Sequence, residues 1–227
     1  MLQMRYVKLQ INIQNKEIVK TNNILKSKKC TLFFKRFFDI TVSFFALLIL
    51  SPFFIIISLI IVLTSKGGVF YKQVRIGKNC KPFKILKFRT MVANADKIGT
   101  AVTVDKDPRI TSVGNFLRKH RIDEFPQFIN VLVGDMSIVG PRPEVEKYVN
   151  EYKEEDYIAL LIRPGITCSS SIAFANEAEI LSNCDDPDKV YIQKILPEKC
   201  KINNEYVFNL SIKNDLKIFI NTLLGKF

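Results

Sequence analysis

The chain has 227 residues, 48% of them hydrophobic and 25% charged, a balance that excludes a disordered chain and allows one domain plus a membrane segment. Its cysteines (Cys30, Cys80, Cys168, Cys184 and Cys200) are odd in number, widely spaced and without a C-x-x-C pair, which argues against a disulfide framework or a zinc site and for a reducing compartment. The sole histidine is His120, so histidine-based metal or triad chemistry has almost no material.

The net charge of +12 is unevenly spread: residues 1–91 carry 17 Lys/Arg against Glu17 and Asp39, a net of +15, and the remainder carries −3. A basic chain suggests nucleic acid. Here the positive charge brackets an apolar segment rather than forming a separate arm, so the partner it fits is anionic lipid, at about 1 kcal/mol per Lys or Arg near the surface. No nucleic-acid partner is expected.

Residues 1–32 are Asn-, Lys- and Gln-rich and predict a basic, poorly ordered or surface-lying extension without chemistry of its own. Residues 33–65 form the second unit. Its core, residues 37–63, holds one charge, Asp39. As a straight helix that core would reach about 40 Å, against about 30 Å of hydrocarbon. Ser51-Pro52 sits at its centre. Proline removes a backbone donor and clashes with the carbonyl four residues back, and Ser51 is placed to satisfy a polar group freed there. Lys and Arg flank both ends, with no acid from Lys66 to Arg89. A helix that dips in, breaks and returns keeps both clusters in the cytosol, as the positive-inside rule favours. A kinked spanning helix is the alternative.

The third unit, residues 66–227, is expected to be a cytoplasmic domain. From Val69 to Met91 the pattern is strand-like, with a turn at Gly77-Lys78-Asn79. Residues 92–110 are turn-rich, and Gly114–Arg121 suits a helical turn. Gln127–Val133 is a short helix closed by Gly134. Residues 144–162 predict a helix that stops at Arg163-Pro164-Gly165. Ile212–Leu224 predicts an amphipathic helix whose face (Ile212, Leu216, Phe219, Ile220, Leu223) suits the core slightly better than a membrane surface.

Asp123 and Glu124 are adjacent acids between a basic run (Arg118, Lys119, His120, Arg121) and the short helix. Asp123 or Phe125 is the expected N-cap. A carboxylate at a helix start stays ionised, as a nucleophile or metal ligand requires, and two adjacent oxygens suit Mg²⁺ together with substrate phosphates. Taken alone, such a pair is far more often an ordinary helix cap with surface charge. Further on, Pro141 and Pro143 lock the backbone either side of Arg142, which suits a guanidinium that binds phosphate.

The stretch LRKHRIDEFPQFINVLVGDMSIVGPRPE, residues 117–144, resembles the signature of the bacterial sugar transferases, the monotopic polyprenyl-phosphate phosphoglycosyl transferases. Shorter matches occur in order at residues 35–39, 73–77, 87–91, 107–111, 163–167 and 215–217. The resemblance covers about residues 33–224. It implies an α+β, mostly helical fold: a re-entrant helix-break-helix at Ser51-Pro52 and a small cytoplasmic catalytic domain with amphipathic interfacial helices. It implies location on the cytoplasmic face of the bacterial inner membrane, and Mg²⁺, a UDP-sugar, undecaprenyl phosphate and membrane lipids as cofactor and partners. It leaves homo-oligomerisation open. By position, Asp123 matches the nucleophile and Glu124 its acidic partner, both near the metal. Lys87, Arg89, Arg118 and Arg142 match the basic positions and are expected on phosphates. The chain departs from the family pattern at Cys168 and over Ser169–Ala175, a segment expected to help select the sugar. A membrane-bound partner protein that has lost catalysis is the competing reading.

Overall fold

The computed structural model describes residues 16–95 and 107–224. The turn-rich stretch expected over residues 92–110 therefore lies partly outside the described residues, as does the start of the N-terminal extension.

What is described of that extension is ordered. Helix α1, Lys16–Ser27, buries Ile18, Thr21 and Leu25, and both apolar side chains join the main core. Of the two expectations for this extension, poorly ordered or surface-lying, residues 16–27 fit the second: a helix laid on the domain with its apolar residues turned in.

Helix α2, Lys29–Thr64, is the one helix among the described residues long and apolar enough to cross a membrane. It continues through Pro52, so the expected break does not interrupt it. Pro52 cannot donate to the Leu48 carbonyl, but the Ser51 hydroxyl donates to that oxygen at 2.8 Å. The orphaned acceptor is satisfied within the segment, which apolar surroundings demand. Both arms of α2 dock on the same domain. On the first arm, Arg36 donates to the carbonyls of Val131 (2.7 Å) and Leu132 (3.0 Å), and Asp39 Oδ1 accepts from the Ile138 amide at 2.9 Å. On the second, Phe54 packs edge-on to Phe88 at 5.1 Å and Ile61 is buried beside Leu117. Between the arms, Phe44, Phe45, Leu48, Ile49 and Phe53 are exposed.

The stretch expected to be strand-like holds two strands, β1 (Phe70–Ile76) and β2 (Pro82–Phe88), which pair as an antiparallel hairpin with Val74 opposite Lys84. Helix α3, Ser112–Lys119, is capped by Thr111, whose hydroxyl accepts from the Gly114 amide. A 3₁₀ turn at Ile122–Glu124 leads to α4, Gln127–Val133, which ends at Gly134 in the left-handed conformation. Strand β3 (Ser137–Val139) pairs in parallel with β4 (Gly165–Thr167). The long helix expected over residues 144–162 is instead α5, Glu146–Val149, and a separate 3₁₀ run, Glu154–Leu161. Between them the Asp156 carboxylate accepts from the Lys153 amide and starts the second piece afresh.

Short helices α6 (Ser169–Ala173), α7 (Glu177–Ser182) and α8 (Pro187–Val190) follow, then α9 (Leu196–Phe208) and α10 (Ile212–Leu223). The core gathers Val131, Met136, Ile138 and Val139 against Ile158, Ile162, Tyr206, Val207, Leu210 and Ile218. The expected core face of α10 is largely turned outward: Ile212, Leu216 and Ile220 are exposed, while Ile218 is buried. The reason is polar. Asp215 accepts from Lys35 and from the Tyr206 hydroxyl, each at 2.6 Å, and this half-buried polar anchor turns that side of the helix inward.

Candidate active site

Three elements converge on the acidic pair. Asn130 of α4 reaches the hairpin: its Oδ1 accepts from the Leu86 amide at 2.9 Å and its Nδ2 donates to the Lys84 carbonyl at 2.8 Å. This registers β2, and so Lys87, against the turn before α4. Arg121 takes a left-handed conformation (φ 55°) and reverses the chain between α3 and that turn. Asp123 and Glu124 are thus side chains of a 3₁₀ turn. Neither caps α4, whose first turn has no side-chain cap.

Arg142 is fixed from both flanks. Arg75 Nη1 donates to the Pro143 carbonyl at 3.1 Å, and the Ile76 amide donates to the Glu144 carbonyl at 2.9 Å. On the other side, the Gly140 amide donates to the Thr167 carbonyl (3.0 Å), and the Gly165 amide to the Pro141 carbonyl (2.9 Å). The two prolines expected to stiffen this loop therefore act with the β3–β4 pair and the β1 edge.

The two acids differ in environment. Glu124 Oε1 accepts from Lys87 Nζ at 2.7 Å and from Arg142 Nη2 at 2.8 Å. Burial alone would raise its pKa, but Arg142 and Lys87 hold it well below the usual carboxylate range. Asp123 is buried, and its Oδ2 lies 4.0 Å from Lys87 Nζ. Burial, with Glu124 as a like-charged neighbour, outweighs Lys87, Arg118 and Arg142 and pushes the Asp123 carboxyl up. One acid is committed to an ion-pair network. The other does not sit at a helix start and is not held ionised as expected there: burial pushes its carboxyl up, and it lies beside cations without a tight partner.

Asp123, Lys87 and Arg118 line two adjoining cavities. One, of about 570 Å³, also takes in Arg75, Arg89 and Arg109. The other, of about 290 Å³, is bounded by Glu124 and Arg142 and by Ser171, Phe174, Glu177 and Lys199. A hollow of about 740 Å³ along α1 is larger but holds no carboxylate. The acidic pair and its cations line the two smaller cavities.

The structure thus brings Lys87, Arg118, Asp123, Glu124 and Arg142 together. Arg89 lines the larger cavity, but its guanidinium Nη2 donates to the backbone and side-chain oxygens of Ser65, each at 2.8 Å. It ties the far end of α2 to the cavity, and its Nε is buried without a partner. Ser51 and Pro52 are exposed in the middle of α2, away from the acids. For Mg²⁺ the donors are sparse. No cluster of three metal-ligating side chains occurs among the described residues. Glu124 already meets two cations through one oxygen. The set fits an ion held by Asp123, with Glu124 beside it, whose other ligands are phosphate oxygens and water.

Several site residues carried no assigned role in the sequence. Arg75 and Arg109 lie inside matched motif stretches, which was a usable signal. Lys199 gave none: it is a lysine in the first turn of α9, brought to the cavity only by the packing of that helix.

A two-armed apolar helix carrying a small domain, with a buried carboxylate amid phosphate-type cations, defines a membrane-associated protein built for phosphoryl chemistry. The sequence profile described as bacterial sugar transferase matches residues 30–227, and the chain belongs to that family. An exopolysaccharide production protein PSS from Rhizobium leguminosarum is 38% identical over 208 residues, 86% of this chain and 96% of that protein. The UDP-glucose:undecaprenyl-phosphate glucose-1-phosphate transferase of Escherichia coli is 38% identical over 198 residues, 85% of this chain but 40% of that protein. A UDP-N-acetylgalactosamine-undecaprenyl-phosphate N-acetylgalactosaminephosphotransferase of Aeromonas hydrophila is 35% identical over 196 residues, 84% of this chain and 43% of that protein. The chain thus spans nearly all of the first relative and less than half of the other two.

Proposed function

We propose that this protein transfers a sugar 1-phosphate from a UDP-sugar to undecaprenyl phosphate at the cytoplasmic face of the inner membrane, releasing UMP. The observation that carries the reading is Asp123, a buried carboxylate beside Lys87 at the junction of two cavities whose walls include Arg118. Names of relatives supply the substrate classes.

In the first step an Asp123 Oδ attacks the β-phosphorus of the UDP-sugar. An Oδ–P bond forms, the bond from that phosphorus to the bridging oxygen breaks, and UMP leaves with the electron pair. In the second, a phosphate oxygen of undecaprenyl phosphate attacks the same phosphorus, and the Oδ–P bond breaks to restore the carboxylate. Lys87 and Arg118 stabilise charge on the transferring phosphoryl oxygens. Glu124 holds Lys87 and Arg142 in place, so the cations are preorganised before substrate arrives. A Mg²⁺ held by Asp123, with Glu124 beside it, would neutralise diphosphate charge when bound.

The membrane geometry follows the same logic. Because both arms of α2 contact one domain and the residues around Pro52 are exposed and apolar, the helix suits a re-entrant segment whose ends stay on one side. The outward apolar face of α10 and the edge-on contact of Phe219 with Phe38 suit an interfacial helix beside it. A lipid-bound phosphate and a cytosolic nucleotide then meet at one site.

The test is UMP release by the purified chain with Mg²⁺, undecaprenyl phosphate and a panel of UDP-sugars. Asp123→Asn is expected to lower turnover by roughly 10³-fold or more. Near wild-type turnover in that variant would refute the nucleophile assignment.

A further inference from the structure

The smaller cavity has a wall that the phosphoryl chemistry does not use. Ser171, Phe174, Glu177 and Lys199 line this cavity together with Asp123, Glu124 and Arg142. Lys199 is 5% exposed, a costly place for an ammonium unless it is paired. It forms an ion pair with Glu177, donates to the Tyr191 hydroxyl at 3.3 Å, and sits 4.9 Å from the centre of the Tyr191 ring. Tyr191 is itself held, donating to Glu144 Oε1 at 2.7 Å and packing against Tyr148 at 4.5 Å. Glu177 is more open, with its side chain 27% exposed.

A buried pair of this kind contributes little net stability, since apolar side chains of similar volume do as well or better. Its placement in the lining of the cavity that also holds Asp123 is what needs a reason. An ammonium has three donors. Glu177 and Tyr191 engage two of them, which leaves one for a ligand. The Glu177 carboxylate retains acceptor capacity, Ser171 adds a hydroxyl, and Phe174 adds an apolar ring face. Fixed donor, fixed acceptor and a ring are the set that recognises a polyhydroxylated pyranose, with hydroxyls on the polar groups and C–H edges on the aromatic.

We infer that Glu177 and Lys199, with Ser171 and Phe174, form the glycosyl subsite and determine which sugar is accepted. This rests on the transferase reading above. The subsite favours a neutral hexose or N-acetylhexosamine, because a uronic acid would bring a second carboxylate to Glu177 in a partly desolvated space. Selectivity arises as it does wherever a site is built to hydrogen-bond a hydroxyl: a donor sugar with that hydroxyl misplaced leaves a buried polar group unpaired.

The experiment measures kcat and KM for UMP release with the full chain. The donors are UDP-glucose, UDP-galactose, their two N-acetylhexosamine counterparts and UDP-glucuronic acid. Glu177→Gln and Lys199→Met are compared with wild type. For the preferred donor, each variant is expected to raise KM about tenfold or more, the equivalent of one lost hydrogen bond to a charged group. The preference ratio between epimers should narrow at least threefold, and Glu177→Gln should gain relative activity on UDP-glucuronic acid. Glu177 is partly exposed, so that variant keeps the test decisive if Lys199→Met does not fold. Active wild type with ratios unchanged in both variants, or in Glu177→Gln alone where Lys199→Met does not fold, would overturn the glycosyl subsite. Wild type silent on every donor would overturn the transferase reading, and this one with it.

Discussion

Glu124→Gln and Asp123→Asn should both abolish activity, but only Glu124→Gln should lower stability. Glu124 is the shared partner of Lys87 (2.7 Å) and Arg142 (2.8 Å), whose side chains are 19% and 31% exposed. Breaking a fully buried pair costs about 3–5 kcal/mol. The partial exposure of the two cations reduces this to roughly 2–3 kcal/mol. For a domain of this size, that is a fall in Tm of about 4–12 °C. Asp123 is the reverse case. Its pKa is raised, so its ionised form is disfavoured in the folded state, and Asp123→Asn should leave Tm unchanged or higher. The pH dependence separates them further. The contribution of Glu124 is present above the ordinary carboxylate range and is lost as pH falls through its lowered folded value. The cost of ionising Asp123 is largest at neutral pH and is relieved as pH falls through its raised value. Thermal unfolding of both variants in the same detergent tests this: from pH 7 to pH 4 the effect of Asp123→Asn should shrink, while that of Glu124→Gln persists, because the lowered value of Glu124 lies below this window. Equal destabilisation by the two, or a lower Tm for Asp123→Asn alone, would refute the division of roles.

Lys35 and Asp215 are 10% and 13% exposed and meet at 2.6 Å, so Lys35→Met should cost about 3 kcal/mol, and adding Asp215→Leu should recover part of the lost Tm. A Cβ on Gly165 would fall 2.1 Å from the Gly140 amide nitrogen, so Gly165→Ala should separate β3 from β4 and cost about 3 kcal/mol or more; an unchanged Tm would show the loop yields. Impermeant thiol labelling of single-cysteine chains should find Cys30 and Cys80 reactive from the same side of the membrane, and reaction from opposite sides would rule out the re-entrant arrangement.

Much of the site was legible before any coordinates. Asp123, Glu124 and Arg142 lie in one contiguous stretch, and their chemistry depends on residue type and close spacing. Lys87 and Arg118 were legible as motif positions, although the hydrogen bonds of Asn130 are what bring Lys87 to the acids. The orientation of α10 was misread because composition and periodicity do not reveal which face finds a partner. The 144–162 helix was misread because a side-chain cap at Asp156 competes with the helical ladder.

Sequence alone determined the apolar segment with its bracketing charge, the Ser51-Pro52 pair at its centre and the acidic pair, because each is a property of neighbours along the chain. Only the tertiary structure decided that the two acids have opposite electrostatics, that Arg89 spends part of its guanidinium on Ser65, and that Lys199 reaches the cavity. Those depend on burial and on contacts between residues far apart in the chain, and desolvation is a property of the folded surroundings.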